Sequence, residues 1–186
     1  MHTIQLLEIE FDYNGQRQVI TPIILKDEQD TILIDCGYPN VEADLEEAAN
    51  RKNVTLASIT KLIVTHHDID HIGSLASLKR MYPHIEIIAH ELEKPYIEGR
   101  KKSLRLEQAE SSFNTLPDHE KPYAEQFISF LNTVESVSVD RTVSTGERLT
   151  WCGGMEVIHT PGHMPGHISL YLPSSKTLNC WRCCCT

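Results

Sequence analysis

The sequence predicts a mixed fold of the α+β class, and three observations carry that expectation. Short apolar segments rich in β-branched residues recur along the chain with turn residues between them. Between these segments lie stretches with helical periodicity and helix-end signals. At 186 residues the chain suits one domain with a substantial core.

In chain order, "IQLLEIEF" and "VITPIIL" read as the first strands, a meander with "YNGQ" at 13–16 as its hairpin turn. "TILIDCG" is the next strand and leads into "NVEADLEEAANRK", a helix with Asn40 as N-cap and acids in its first turn. "KLIVT" is a buried strand by pattern, and "GSLASLKRMY" is a helix that ends on basic residues before Pro83. "IEIIAH", "MEVIHT" and "ISLYLP" supply further strands. Residues 91–135 differ: they are polar, helix-favouring and broken by Pro95, Pro117 and Pro122. They read as helices and loops inserted between strands, either covering a pocket or forming a packed connection.

Composition narrows the function. Lys and Arg number 17 against 26 Asp and Glu, a formal charge of −9, and the short "GRKKSLR" at 99–105 is the most basic stretch, so nucleic acid is not an expected partner. Apolar stretches fall short of membrane-spanning length, and the first residues lack the pattern of a secretory leader, so the expectation is a soluble cytoplasmic protein. Of six cysteines, Cys36 and Cys152 lie in the body and four crowd the last seven residues, which argues against a disulfide framework.

The chemistry is concentrated in "KLIVTHHDIDHIGSL" at 61–75. Its ligand-type side chains begin where a buried strand ends, the position at which α/β sheets commonly present functional groups. His66, Asp68, Asp70 and His71 can converge if the backbone turns after Thr65 and enters a helix near "DHIGSL". Imidazole nitrogen and carboxylate oxygen together suit zinc and related divalent ions. A second cluster, "IHTPGHMPGH" at 158–167, spaces His159, His163 and His167 four apart. Pro161, Gly162, Pro165 and Gly166 force turns there, so this is a loop and not a helix face.

"THHDIDHIGSL" resembles the signature of the metallo-β-lactamase-fold hydrolase superfamily, which includes glyoxalase II-like thioesterases and lactonases. "HTPGHMPGHISLYLP" is similar to its second metal motif, and "TILIDCG" to its early strand with a buried Asp. The resemblance implies a four-layer αββα sandwich and metal-assisted hydrolysis. Carried over by position, it makes His66 and His163 ligands of a first metal site and Asp70 with His71 ligands of a second, with Asp70 also orienting the attacking water. Asp68 stands where the commonest H-x-H-x-D-H form has its second His. It still offers an oxygen ligand, so Zn is the leading expectation and a shift toward Mn or Fe is open. His67, His159 and His167 are expected in structural hydrogen bonds, and Asp35 behind the ligands as an orienting group. Iron-dependent persulfide dioxygenases resemble the same pattern, and a non-catalytic hydrogen-bonded domain is the competing reading.

The expected domain is residues 1–178, incomplete at its C-terminus, with 179–186 as an aberrant tail, "NCWRCCCT". The resemblance implies a Gly-Asp pair there, its Asp bridging two metals, and a last His further on. Read from the second base of the Asn codon, the codons for this tail give Ile or Thr, then Val or Ala, then an obligatory Gly, and Asp is available next. A frameshifted, truncated chain with impaired turnover is therefore expected, and an exposed sheet edge at that end would favour homo-oligomers.

Overall fold

In the computed structural model, which describes residues 2–13 and 16–179, the chain opens with β1 (Thr3–Leu6), the hairpin β2 (Ile9–Tyr13) and β3 (Gln16–Ile20), then β4 (Ile23–Lys26) and β5 (Thr31–Ile34). Helix α1 (Glu42–Asn50) leads to β6 (Lys61–Val64), and α2 (Ile69–Ile72) with α3 (Leu75–Met81) to β7 (Glu86–His90). The inserted segment forms α4 (Lys94–Ile97), α5 (Leu104–Phe113) and α6 (Lys121–Leu131). The chain continues through β8 (Arg141–Val143), β9 (Arg148–Leu149), β10 (Met155–His159), β11 (Ile168–Leu172) and β12 (Thr177–Asn179).

Six strands make the first sheet in the order β1-β4-β5-β6-β7-β8, parallel from β5 onward. Parallel neighbours cannot be joined by tight turns, which is why the helices lie between them. The second sheet, β12-β11-β10-β9, is antiparallel throughout.

Strand periodicity of two explains how the layers stack. Along β5, β6 and β7, Leu33, Leu62, Val64, Ile87 and Ala89 face one core, and Ile32, Ile34, Ile63 and Ile88 face another. The first core also holds Leu45 and Ala49 of α1 with Leu75 and Leu78 of α3; the second holds Met155, Val157, Ile168 and Leu170 of the second sheet. Strands covered on both faces read as continuous apolar runs, as "TILI" and "KLIV" do. Among the described residues every α-helix packs into the first core or into a small cluster around Ile69, Leu106 and Leu131, and none into the core between the sheets, which takes Cys152 of a short 3-10 turn. The layers are therefore helix, sheet, sheet, three of the four in an αββα sandwich.

Some expectations need correction. "IQLLEIEF" is two strands: the Leu7 side chain is fully buried and its N–H bonds Pro22 O at 2.8 Å, so the chain steps from the main sheet into the hairpin. "VITPIIL" breaks likewise at Pro22, which has no N–H to give a ladder. Asn40 is not the N-cap of α1. It adopts φ 66, and Val41 precedes the helix without a side-chain cap. The expected turn residues Asn14 and Gly15 lie outside the described residues, although Tyr13 and Gln16 pair across the gap. The tail residues 180–186 also lie outside them; β12, the outer strand of its sheet within the described chain, carries the exposed Leu178.

Candidate metal centre

Neighbouring parallel strands deliver Asp35 after β5, Thr65 and His66 after β6, and Glu93 after β7 to one rim of the first sheet. Asp35 sits there at φ 59, buried, with Oδ1 accepting from Thr65 N at 2.8 Å. Its Oδ2 accepts from Thr65 Oγ1 and from His71 Nδ1, both at 2.8 Å. This fixes the protons. Thr65 has one hydroxyl hydrogen and gives it to Asp35, so its contact with His66 Nδ1 at 3.0 Å requires that nitrogen to be the donor. His66 Nε2 is then left as a lone pair. Burial, and after it the neighbouring His71, His167 and His163, hold the His66 pKa far below the ordinary imidazole value, which keeps the ring neutral.

That Nε2 is buried and has no hydrogen-bond partner among the described residues. His66, Asp68 and His163 each offer one ligand atom, and the three atoms lie within 4.8 Å of one another. Asp68 Oδ2 and His163 Nε2 are 3.2 Å apart, near the roughly 3.3 Å edge of a tetrahedron built from bonds of about 2.0 Å. An orphaned lone pair beside a carboxylate and a second imidazole is a donor set that fits a divalent ion. The sequence places Asp68 in this role through the turn into α2, where its Oδ1 accepts from Ile69 N as the helix N-cap.

Asp70 and His71 lie beside this group, with Asp70 Oδ2 at 3.4 Å from His71 Nε2. Burial alone would lower the His71 pKa, but the Asp35 and Asp70 carboxylates raise it to about 10. Burial acts to raise the Asp70 carboxyl, yet its bond to His71 holds it below the ordinary range. The His71 ring thus stands between two carboxylates, Nδ1 facing Asp35 and Nε2 facing Asp70.

The remaining histidines have other partners. His159 Nε2 meets Pro165 O at 2.7 Å and its ring stacks on His90. His167 Nδ1 pairs with Thr160 Oγ1 at 2.8 Å, although its ring packs 4.9 Å from that of His66. His67 turns away to stack on Tyr96, and its Nδ1 and backbone N–H both bond the fully buried Glu93. The other Glu93 oxygen accepts from Gly166 N at 2.6 Å. One carboxylate therefore ties the loop carrying His66 and Asp68 to the loop carrying His163. A Cβ on Gly166 would lie 2.8 Å from Glu93 Oε1, so this approach requires glycine.

Sequence reading missed Glu93 and Arg105. Arg105 Nη2 bonds Asp68 Oδ2 at 2.9 Å, from the first turn of α5. In sequence it is indistinguishable from the surface cations Arg100, Lys101 and Lys102. Glu93 had a readable signal, an acid just past a buried parallel strand next to the motif strand.

A profile of the metallo-beta-lactamase superfamily matches residues 18–179. The chain belongs to that superfamily. Among curated relatives it is 25% identical over 147 residues to the probable metallo-hydrolase YflN of Bacillus subtilis, covering 79% of this chain and 53% of the relative. It is 30% identical over 146 residues to the probable metallo-hydrolase YqjP of the same species, covering 75% and 44%. It is 26% identical over 157 residues to a hydroxyacylglutathione hydrolase of Brucella anthropi, covering 84% and 44%. The chain thus spans about half the length of these relatives. Among solved structures, TTHA1429 of Thermus thermophilus, a metallo-beta-lactamase family protein, aligns with TM-score 0.73 at 21% identity, over 94% of this chain and 57% of that one. The subclass B3 metallo-beta-lactamase BJP-1 of Bradyrhizobium japonicum aligns with TM-score 0.64 at 22% identity, over 94% and 56%. These two establish the fold. Among the described residues no helix is long and apolar enough to cross a membrane.

Proposed function

We propose that this chain is a metal-dependent hydrolase of a small ester, thioester or lactone-type substrate, built around one divalent ion held by His66, Asp68 and His163. The observation that carries the reading is the buried His66 Nε2, without a hydrogen-bond partner among the described residues, on a ring grouped with the donors of Asp68 and His163. A bound divalent ion supplies carbonyl polarisation and a water that ionises near neutral pH. The protein's own share is orientation: Thr65 fixes the His66 tautomer, Glu93 holds the two loops in register, and Asp70 orients the attacking water from the cavity side. Zn suits the donor set, and Mn or Fe also fits a site with an added carboxylate. Among the described residues the first site has three donors, and Asp70 and His71 lie beside it as donors for a second. Two free buried cysteines, Cys36 and Cys152, support a reducing, cytoplasmic setting.

The test is metal content after mild purification, with His163→Ala alongside. We expect about one divalent ion per chain in the wild type and loss of at least tenfold in metal affinity in the variant. A folded wild-type protein that takes up no divalent ion overturns the reading. One observation favours a second reading: two His and one carboxylate are also the donor set of mononuclear non-haem iron oxygenases. Iron as the ion retained on purification, with dioxygen uptake and no ester hydrolysis, would select it.

A further inference from the structure

Beside the donor group lies a cavity of about 410 Å³, a size suited to a small molecule. Its wall is aromatic: Phe11, Tyr38, Phe127 and Phe130 line it, so three of the four phenylalanines in the chain gather here. Phe11 meets Tyr38 edge-on with centroids 5.1 Å apart, and Tyr38 lies 6.0 Å from Phe130. Asp68, Asp70 and His163 also line it, and Arg105 is the one Lys or Arg among the described lining residues.

Arg105 is held for more than its ion pair. A guanidinium has five N–H donors, and among the described residues the side chain makes a single hydrogen bond, to Asp68. Its side chain is 36% exposed at a cavity whose other described lining residues carry no cationic side chain of Lys or Arg type. The next residue, Leu106, is buried against Ile69 and Leu131, which fixes the first turn of α5 and hence the direction of Arg105. A planar fork with free donors matches a carboxylate in two-point contact, which a lysine would not reproduce.

Resting on the metal-hydrolase reading, we propose that the cavity selects anionic substrates: small esters, thioesters or lactones that bear a carboxylate beside an apolar, aromatic-sized body. Arg105 binds the carboxylate and the wall of Phe11, Tyr38, Phe127 and Phe130 takes the body. Neutral analogues of the same shape are then poor ligands.

The test uses 4-phenylbutyrate and its neutral amide as probes, titrated calorimetrically into the zinc-saturated full chain, with metal content measured on the same samples. The acid is expected to bind about tenfold more tightly than the amide. In Arg105→Gln at saturating zinc the acid-to-amide ratio falls to about one while zinc content stays at the wild-type level. Should Arg105→Gln fail to fold, the wild-type Arg105 Nε–H resonance, assigned with Arg105→Lys, gives a second measure: it shifts with the acid and not with the amide. A wild-type ratio near one, an unchanged ratio in Arg105→Gln, or a resonance that ignores the acid overturns the proposal. Absence of bound zinc overturns the metal reading instead, and the ratio on that metal-free protein still judges Arg105.

Discussion

The strand-end frame and the helical insert meet at Asp68, and they are built by opposite means. In the frame, Asp35, Thr65, His66 and His71 are all at most 5% exposed, and their shared hydrogen bonds assign protons. On the insert, Arg105 and Phe127 are about one-third exposed; Arg105 meets the frame in its ion pair with Asp68, while Leu106 and Leu131 pack on Ile69 and Tyr96 stacks on His67. At His66, buried and fixed neighbours decide which imidazole nitrogen carries a proton, whereas His163 reaches the group with a side chain 44% exposed. Substrate recognition demands accessible surface, which the insert supplies on less tightly packed elements.

The sharpest way to break the comparison is at Glu93, where frame and second loop are joined. Glu93→Ala leaves the N–H groups of His67 and Gly166 and the His67 ring without their acceptor in a fully buried place. We expect a loss of about 3–5 kcal/mol in unfolding free energy, read from the denaturant midpoint at constant m. Substitutions on α5 and α6 should cost far less. A change below about 1 kcal/mol would mean that the two loops are held by something other than this carboxylate.

Thr65→Val separates tautomer control from stability. The methyl keeps the volume and removes the hydroxyl that links Asp35 to His66. Metal affinity, measured by competition with a chelator, should fall by about 10- to 100-fold. An unchanged affinity would show that the His66 tautomer is set without Thr65.

How much of this was legible follows the same division. "TILIDCG", "KLIVT" and "IEIIAH" announce themselves because strands buried on both faces must be apolar throughout, and the polar residues ending them then stand out. His66, Asp68 and His163 could be named from those endings and from the Pro-Gly turns of the second loop. Short strands such as β8 and β9 carry too few residues for a period to register. Arg105 was hidden because its role depends on which way α5 faces. That direction is set by Leu106 packing on Ile69 and Leu131, contacts between residues far apart in sequence. Asn40 misled because an asparagine that caps a helix and one that adopts a left-handed turn look alike in sequence.

Asp68→His probes the boundary itself. The imidazole restores a nitrogen donor and removes the carboxylate that Arg105 pairs with. The ratio of zinc to iron affinity should rise by about tenfold, since nitrogen suits zinc and the added oxygen favoured harder ions. If the ratio holds, Asp68 is not a ligand and its place is in the ion pair with Arg105 alone.

The smallest effect belongs to Phe127→Ala. Phe127 is 36% exposed on α6 and lines the cavity without joining the frame. Truncation should leave stability within about 0.5 kcal/mol and metal affinity unchanged. Binding of 4-phenylbutyrate and of its amide should both weaken by about three- to tenfold, because the lost contact is apolar and blind to charge. An equal loss for the two probes separates shape from charge in the pocket. A loss confined to the acid would place Phe127 in support of Arg105, and the wall would then act on the anion and not on the body.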